Sequence, residues 1–363
     1  MRYALIVAGG SGTRLWPMSR VNMPKQLIPF INGRSLLQLA YDRLEGLVPP
    51  GNRYVCAGEK HREIICRALG VGDDQFLGEP TGRDTLNAVG FGAAVIAARD
   101  PDAVMAVFTA DHIIEPLDRF HATIDHGYRV AEQSPDTLVT FGITPTMAAT
   151  GYGYLQLGQL IDESARVVEQ FREKPDAKTA GEFFAAGAER YLWNSGMFVW
   201  RGQTLLDCIR RYHGANFDGL SRIARAWNTP ARHEVVWEVF PALKKISVDF
   251  AVMEPASRDP HVRVAAVPMP LTWLDVGSWP MFAETCPKDA QGNALGAGRS
   301  LLVDTRDTLV ASDDPQHLIA TIGCHDLIIV HTRGATLVCR KDVAESIKDL
   351  HKKVREQFGG ELV

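Results

Sequence analysis

Hydrophobic and polar positions in the first 140 residues follow two alternating patterns. Short runs of apolar and β-branched residues alternate with longer segments whose apolar residues recur at helical spacing. This order predicts parallel strands joined by right-handed crossovers. The strands are predicted at residues 3–8, 54–57, 76–77, 103–108 and 137–141, and the helices at 35–47, 61–69, 85–98 and 120–133. Ligands in such sheets bind at the carboxyl ends of strands, so the loops after Ala8 and Phe108 are expected to form a site.

The pattern changes in the second half of the chain. Strands are predicted at 152–157, 166–172, 191–200 and 262–267, a helix after Pro175, and mostly helix across 203–245. A glycine-rich passage at 292–298 indicates a boundary, and the short β-type runs that follow are typical of a small β domain. A final helix over 342–357 places Val343, Ile347, Leu350 and Val354 on one stripe. We therefore expect an α/β domain at 1–287 and a small β-rich domain at 288–363.

Composition narrows the class of protein. A length of 363 residues suits about two domains. The net charge of −4 argues against nucleic-acid binding through bulk positive charge, although it leaves an anionic small substrate open. No apolar run is long enough for a membrane span, and the N-terminal run is too short for a signal peptide. The six widely spaced cysteines are expected to be reduced and mostly buried thiols of a cytoplasmic protein.

The strongest candidate for chemistry is the segment Gly9-Gly10-Ser11-Gly12-Thr13-Arg14 after the first strand. Three glycines let backbone N–H groups approach an anion, and Arg14 adds a permanent cation suited to phosphate. Lys25 follows and could supply a second positive charge. The segment is neither a Walker A motif nor GxGxxG. A tight strand-to-loop turn is the alternative interpretation.

Two aspartates are candidates for a metal site. Asp111 follows a predicted strand and Asp275 lies in Trp273-Leu274-Asp275-Val276-Gly277. Mg²⁺ takes one or two carboxylates and leaves its other positions to water and phosphate oxygens. Alone, Asp111 could equally cap a helix and Asp275 could belong to a turn. We expect His112 to orient or pack rather than to act as a base or ligand.

Four further motifs offer polar groups. Lys174 precedes a proline, which predicts extended backbone and an ammonium aimed at an anion, although a solvated charged turn is the alternative. Gly153, in Gly151-Tyr152-Gly153-Tyr154, lets a sugar approach the backbone, but a β-turn explains it nearly as well. Asn194 sits in an apolar run and needs a partner, whether backbone or ligand. Residues 78–85 precede a buried helix and could be mainly its N-cap.

No Ser-His-Asp or Cys-His signature stands out, so nothing favours a covalent enzyme intermediate. Together the motifs resemble the sugar-1-phosphate nucleotidyltransferase family, most closely its guanylyltransferase branch. The resembling passages, which span about three quarters of the chain, are AGGSGTRLWPMSR (8–20), PKQ (24–26), GEPTGRDT (78–85), TADHII (109–114), GYGY (151–154), FREKP (171–175), WNSGMF (193–198) and LDVGSW (274–279).

The resemblance implies a fold, a reaction and residue roles. The fold is a Rossmann-like mixed, mostly parallel sheet flanked by helices, with a short C-terminal β-helix-like domain and a closing helix. The reaction converts GTP and mannose 1-phosphate to GDP-mannose and pyrophosphate with Mg²⁺ held by Asp111 and Asp275. The implied nucleotide-binding residues are Gly9, Gly10, Gly12, Thr13, Arg14, Lys25, Glu79, Pro80 and Arg83. The implied sugar-binding residues are Gly153, Glu173 and Asn194, with Lys174 on the sugar phosphate.

The sequence departs from the family pattern at two places. Asp84 stands where the family usually has Asn, and residues 271–274 replace a more polar lead-in to Asp275. Three alternatives stay open: a related enzyme for another sugar 1-phosphate or nucleotide, a non-catalytic sugar-nucleotide sensor, and a nicotinamide oxidoreductase, which the missing GxGxxG disfavours. The apolar stripe of the last helix could cover the β domain or pack on a second subunit, so a homo-oligomer is also possible.

Overall fold

The structure is a computed structural model that describes residues 1–10, 12–29 and 33–363. It divides into two compact units. The first unit comprises Met1–Gly9, Ala40–Ala110 and Ile114–Trp273, and the second comprises Gly10–Leu39, Asp111–Ile113 and Leu274–Val363. The predicted boundary between residues 287 and 288 stays a prediction.

Seventeen strands are present in the described residues. They are β1 (Arg2–Val7), β2 (Arg53–Gly58), β3 (Phe76–Glu79), β4 (Val104–Thr109), β5 (His112–Glu115), β6 (Thr137–Ile143), β7 (Tyr154–Leu160), β8 (Arg166–Arg172), β9 (Tyr191–Arg201), β10 (Arg263–Pro268), β11 (Thr272–Asp275), β12 (Ala294–Gly296), β13 (Arg299–Val303), β14 (Leu309–Ser312), β15 (Leu318–Ile322), β16 (Leu327–Thr332) and β17 (Ala335–Arg340).

The same residues contain eleven α-helices. They are α1 (Leu36–Asp42), α2 (Arg62–Leu69), α3 (Thr85–Arg99), α4 (Leu117–Gln133), α5 (Ala177–Ala185), α6 (Gly202–Tyr212), α7 (Gly214–Ala226), α8 (Arg232–Val239), α9 (Glu254–Ala256), α10 (Trp279–Ala283) and α11 (Ile347–Phe358). None of the helices in the described ranges has both the length and the apolar character needed to cross a bilayer.

The first unit is built on a nine-stranded mixed sheet in the order β3-β2-β1-β4-β9-β6-β10-β8-β7. The pairs β1–β2, β1–β4, β2–β3 and β6–β10 are parallel, as the strand–helix alternation predicts. β9 lies antiparallel between β4 and β6. β4 and β9 are neighbours near the centre of the sheet, so both strands are flanked by other strands on either side.

Helix α3 is apolar almost all round because it is buried on nearly every side. It packs against α6 and α7 as well as against the sheet. Small residues permit this close packing: a Cβ at Gly92 would lie 2.5 Å from a methyl of Leu5 on β1. The helix thereby fixes the loop that precedes it, which carries Arg83 and Asp84.

The second unit contains the β-rich C-terminal region. One sheet has the order β12-β14-β16-β17 and another pairs β13 with β15, with parallel pairing between successive coils and an antiparallel β17. The N-terminal segment belongs to the same hydrophobic cluster: Trp279 Nε1 donates to Trp16 O at 2.9 Å, and Trp16 Nε1 donates to Leu362 O at 2.7 Å. The conformation of the glycine-rich segment therefore depends on residues more than 260 positions away in sequence.

The predicted fold class is confirmed, and three details are wrong or were missed. The last α-helix begins at Ile347, because Lys341–Ser346 form a 3₁₀ turn that breaks the helical phase and leaves Val343 and Leu350 exposed. The short strands β5 and β11, which pair with each other, carry too few residues for a periodic signal. Only Cys56 and Cys208 of the six free cysteines are buried.

Candidate active site

The glycine-rich segment makes a tight turn in the second unit. Gly10 and Gly12 have φ of 107° and 60°, values that residues with a Cβ rarely adopt. A Cβ at Gly12 would also clash with Ser19 Oγ and lie 3.0 Å from Lys25 Cβ. Gly12 begins a 3₁₀ turn over Thr13–Leu15 that carries Arg14. Position 12 therefore requires glycine for two reasons: its φ is positive, and Lys25 lies too close to leave room for a larger side chain.

Lys25 and Asp111 form an ion pair in this unit. The Nζ–Oδ2 distance is 2.6 Å, and the Lys25 side chain is nearly inaccessible. Burial acts to raise the pKa of Asp111, but the Lys25 ammonium and the neighbouring His112 outweigh it and hold that pKa below its usual range. Asp111 is therefore a carboxylate with one oxygen committed to Lys25.

Asp275 is held beside Asp111 by the backbone. Val276 N donates to Asp111 O at 3.0 Å, which places the two chain segments side by side. A Cβ at Gly277 would lie 3.5 Å from Asp275 Oδ1 and 3.4 Å from Arg14 Nη2, so the Asp275 carboxylate and the Arg14 guanidinium both border this glycine. Arg14 Nη1 also donates to Glu345 Oε1 at 3.1 Å. Two cations and three carboxylates thus converge within the second unit.

The donor atoms of Asp111, His112 and Asp275 fit a shared divalent cation. One ligand atom of each residue lies within 4.8 Å of the others. Two carboxylates are donors of the kind that Mg²⁺ prefers. His112 Nε2 lies 3.8 Å from Asp111 Oδ1, the oxygen that does not pair with Lys25. His112, expected only to orient or pack, is therefore positioned to act as a third ligand.

The predicted guanine-side residues belong to the first unit. Glu79 ends β3 and is buried, and burial together with the nearby charge of Asp84 raises its pKa to about 7. Arg83 donates from Nη2 to the carbonyl of Pro241, which commits one of its donors to the backbone. Asp84 caps α3 by accepting from Thr85 N at 2.8 Å and has a φ of 68°. The capping interpretation of 78–85 is thus confirmed for Asp84.

Glu173 and Gly153 fit closely together in the same unit. A Cβ at Gly153 would lie 2.5 Å from Glu173 Oε2, so the approach of the carboxyl group requires glycine. Burial raises the pKa of Glu173, and the Lys174 ammonium, 3.2 Å from Glu173 Oε1, acts in the opposite direction. The predicted sugar-side residues Gly153, Glu173 and Lys174 are therefore neighbours.

The expectation of extended backbone at Lys174 is wrong. Its φ is 43°, in the left-handed region, because the chain bends sharply between β8 and Pro175. In this conformation the Lys174 ammonium lies 3.2 Å from Glu173 Oε1. Lys174 and Asp84 are the two non-glycine residues with positive φ among the described residues of the first unit. Strained backbone of this kind clusters at functional sites.

Asn194 has partners at both ends of its amide. Its Oδ1 accepts from Thr140 Oγ1 at 2.7 Å and from Gly196 N at 3.3 Å, and its Nδ2 donates to Asp249 Oδ1 at 3.0 Å. Asp249 begins a π-helical turn, Asp249–Met253. Burial and the charge of Glu173 raise the pKa of Asp249 to about 7. No sequence signal identified Asp249, because it lies 55 residues from Asn194 outside every recognised motif.

The structure thus assembles the predicted residues in groups. Asp111, Asp275, Lys25 and Arg14 converge in the second unit, which also holds Gly10, Gly12 and Thr13. The remaining predicted site residues belong to the first unit, namely Gly9, Glu79, Pro80, Arg83, Gly153, Glu173, Lys174 and Asn194.

Comparison with known proteins decides the family. The nucleotidyl transferase family model matches residues 3–292. The chain belongs to the nucleotidyl transferase family. Residues 298–354 match a second model, described as a MannoseP isomerase/GMP-like beta-helix domain, in agreement with the coiled β-sheets of the second unit. This nucleotidyl transferase is therefore an enzyme with a β-helical C-terminal region, as the sequence motifs predict.

Three relatives illustrate the similarity. A mannose-1-phosphate guanylyltransferase of Escherichia coli is 36% identical over 357 residues, which are 96% of this chain and 73% of that protein. The xanthan biosynthesis protein XanB of Xanthomonas campestris pv. campestris is 34% identical over 97% of this chain and 73% of its own length. A solved structure described as a mannose-1-phosphate geranyltransferase from Thermus thermophilus is 30% identical, with a TM-score of 0.84 over 98% of this chain and 99% of that one.

Proposed function

We propose that this nucleotidyl transferase transfers GMP from GTP to mannose 1-phosphate, giving GDP-mannose and pyrophosphate. The observation that carries the proposal is the convergence of Asp111, His112 and Asp275 within 4.8 Å beside the Lys25 ammonium. The names of the relatives, several of which are mannose-1-phosphate guanylyltransferases, support the choice of sugar and base.

The reaction needs no general base. A phosphate monoester has a second pKa near 6, so the attacking oxygen of a sugar phosphate is already ionised at neutral pH. It attacks the α-phosphorus in line, the bond to the β-phosphate oxygen breaks, and pyrophosphate leaves. This agrees with the sequence, in which no serine or cysteine nucleophile stands beside a base.

Charge repulsion is the main obstacle. Two unit charges about 4 Å apart repel by roughly 4 kcal/mol at an effective dielectric constant of 20. Arg14 and Lys25 would neutralise the triphosphate, and Lys174 would neutralise the phosphate of the sugar. Each cation has a carboxylate partner, namely Glu345, Asp111 and Glu173, and the largely buried pair with Asp111 would hold Lys25 in place when no substrate is bound. Prearranged charges of this kind reduce the reorganisation that the reaction requires.

Asp111 and Asp275 would hold Mg²⁺, with His112 as a third donor. The ion, when bound, supplies Lewis-acid neutralisation of phosphate oxygens. Gly10, Gly12 and Thr13 would offer backbone N–H groups to the phosphates, while Gly9, Glu79, Pro80 and Arg83 would line the nucleotide. Gly153, Glu173 and Asn194 would bind the sugar hydroxyls.

A substrate panel tests the proposal. Pyrophosphate release is measured with GTP, ATP, UTP or dTTP against mannose, glucose, galactose and heptose 1-phosphates, with Mg²⁺ and with EDTA. We expect the highest kcat/KM for GTP with mannose 1-phosphate, and release only when the divalent cation is present. Higher kcat/KM for another pair would replace the assigned substrates. Tight GDP-mannose binding without any turnover would contradict the assigned reaction.

A further inference from the structure

Three polar side chains of the first unit form a chain of hydrogen bonds. Thr140 Oγ1, on β6, contacts Asn194 Oδ1 at 2.7 Å and Met197 O at 3.1 Å. Asn194 Nδ2, on β9, donates to Asp249 Oδ1 at 3.0 Å. Thr140 is fully buried and Asn194 is 7% exposed, whereas Asp249 is mostly but not fully buried. The chain of hydrogen bonds therefore runs from the core of the sheet toward the surface.

This arrangement fixes the orientation of the Asn194 amide. The backbone N–H of Gly196 can only donate, and it points at Asn194 Oδ1 at 3.3 Å. The other end of the amide must therefore be the NH₂ group, which is the end that faces Asp249. One of its two N–H bonds is used on Asp249 Oδ1, and the other stays available. A flipped amide would place two oxygens together at Asp249, which is unfavourable.

Asp249 has no ion pair among the described residues. The charged groups that face it are Glu173 and Lys174, which follow β8, and the carboxyl of Glu173 is in turn faced by Glu254 and Asp84. A desolvated carboxyl group without an ion pair is costly, and buried ionisable groups with a shifted pKa are enriched at functional sites. Its one side-chain hydrogen bond to Asn194 is the contact that links it to a predicted sugar-binding residue.

We propose that Asp249 is a positioning residue for the sugar phosphate: it holds the Asn194 amide so that the free N–H of Nδ2 is presented to a sugar hydroxyl. This rests on the proposed function. Thr140 acts from the opposite end by holding Oδ1. The substrate class is a sugar ring whose hydroxyl accepts from Asn194 and whose neighbouring hydroxyl donates to Glu173. Specificity for the sugar therefore depends on Asp249 and Thr140, two residues that lie outside every recognised motif.

Substitution at Asp249 separates a positioning role from a structural one. Asp249→Leu keeps a side chain of similar size and removes the oxygen that accepts from Asn194 Nδ2. We expect KM for mannose 1-phosphate to rise about tenfold or more, with KM for GTP and the unfolding temperature unchanged. The matched control is Asp218→Leu on the exposed face of α7, which should leave both KM values unchanged.

Thr140, at the other end of the hydrogen-bond chain, allows an independent test by substitution. Thr140→Val removes the hydroxyl at nearly constant volume, whereas Thr140→Ser keeps it. We expect the valine variant to raise KM for mannose 1-phosphate and the serine variant to restore it. A purely structural role would lower the unfolding temperature and affect both substrates alike. If Asp249→Leu does not fold, the Thr140→Val and Thr140→Ser variants provide the test by themselves.

A binding measurement separates this inference from the assigned reaction. The ratio of the Kd of GDP to that of GDP-mannose, from calorimetry, reports the sugar contact without turnover. We expect Asp249→Leu to reduce this ratio about tenfold, and the reduction to be smaller at pH 6 than at pH 8 because protonation already weakens the wild-type contact. A wild type that binds both ligands equally and releases no pyrophosphate would overturn the proposed function. A wild type with the expected ratio and an Asp249→Leu variant that retains it would overturn the role of Asp249.

Discussion

The Lys25 ammonium lies 2.6 Å from Asp111 Oδ2, so a predicted phosphate-binding cation and a predicted metal ligand are partners. Their side chains are 11% and 20% exposed, which makes the pair much less screened by solvent than the Arg14–Glu345 pair of the same unit. Under the proposed function, phosphate and metal binding would share or exchange this contact.

A double-mutant cycle on this pair measures its contribution to stability. Lys25→Met leaves Asp111 as a buried carboxylate without its cation, and we expect a loss of about 1–3 kcal/mol in the free energy of unfolding. Adding Asp111→Asn should recover much of that loss. The exposed pair Lys352–Glu356 is the control, with a coupling of about 0.3–0.5 kcal/mol at most. Equal coupling energies in the two urea-unfolding cycles would show that the Lys25–Asp111 pair is only a surface contact.

Gly153→Ala tests the contact between Gly153 and Glu173. The added methyl group would lie 2.5 Å from Glu173 Oε2 and must displace the carboxyl group. We expect KM for mannose 1-phosphate to rise about tenfold, while KM for GTP changes little. Gly151→Ala is a matched control in the same loop, because a Cβ there meets nothing within 4 Å. Similar kinetics for the two alanine variants would argue against a role of Glu173 in the sugar site.

Lys174→Ala is expected to raise KM for mannose 1-phosphate mainly, because the lost cation is assigned to the phosphate of the sugar. The exposed Lys178, on α5, provides a control substitution to alanine. Steady-state kinetics with each substrate varied in turn give the comparison. An effect confined to GTP would reverse the assignment of the phosphates.

Glu79 makes stability depend on pH. Burial raises its pKa to about 7, above the ordinary value of 4.5, so the native state holds a proton that the unfolded chain releases. The stabilisation is fully present below pH 4.5 and is lost as the pH rises through 7. Glu79→Gln should therefore be more stable than the wild type at pH 8, by about 1–3 kcal/mol, and nearly equal to it at pH 5. Urea unfolding at the two pH values checks the sign, and a gap that widens at pH 5 would contradict the assigned burial.

Local patterns predicted the regular elements well and the site in part. The buried helix α3 and the parallel strands carry strong apolar periodicity, and the short strand β5 does not. The approach of Asp275 to Asp111 was expected from the resemblance to a family, since 164 residues separate them.

Long-range contacts were beyond sequence reasoning. The pairing of Arg14 with Glu345 joins residues 331 positions apart, and the bond from Asn194 to Asp249 depends on a π-helical turn that has no sequence signature. The positive φ of Lys174 was missed because the rule for residues before proline describes local sterics, whereas the bend after β8 is imposed by the fold.

The central claim is that Asp111 and Asp275 hold one divalent cation together. The most direct measurement is kcat/KM for pyrophosphate release as a function of Mg²⁺ for Asp111→Asn, Asp275→Asn and the double variant, with the exposed Asp313→Asn as the control. We predict a loss of at least about tenfold in each single variant at saturating Mg²⁺, with the double variant little worse because the two groups act as a unit. Wild-type turnover in both single variants, or losses that multiply as for independent sites, would contradict a shared cation.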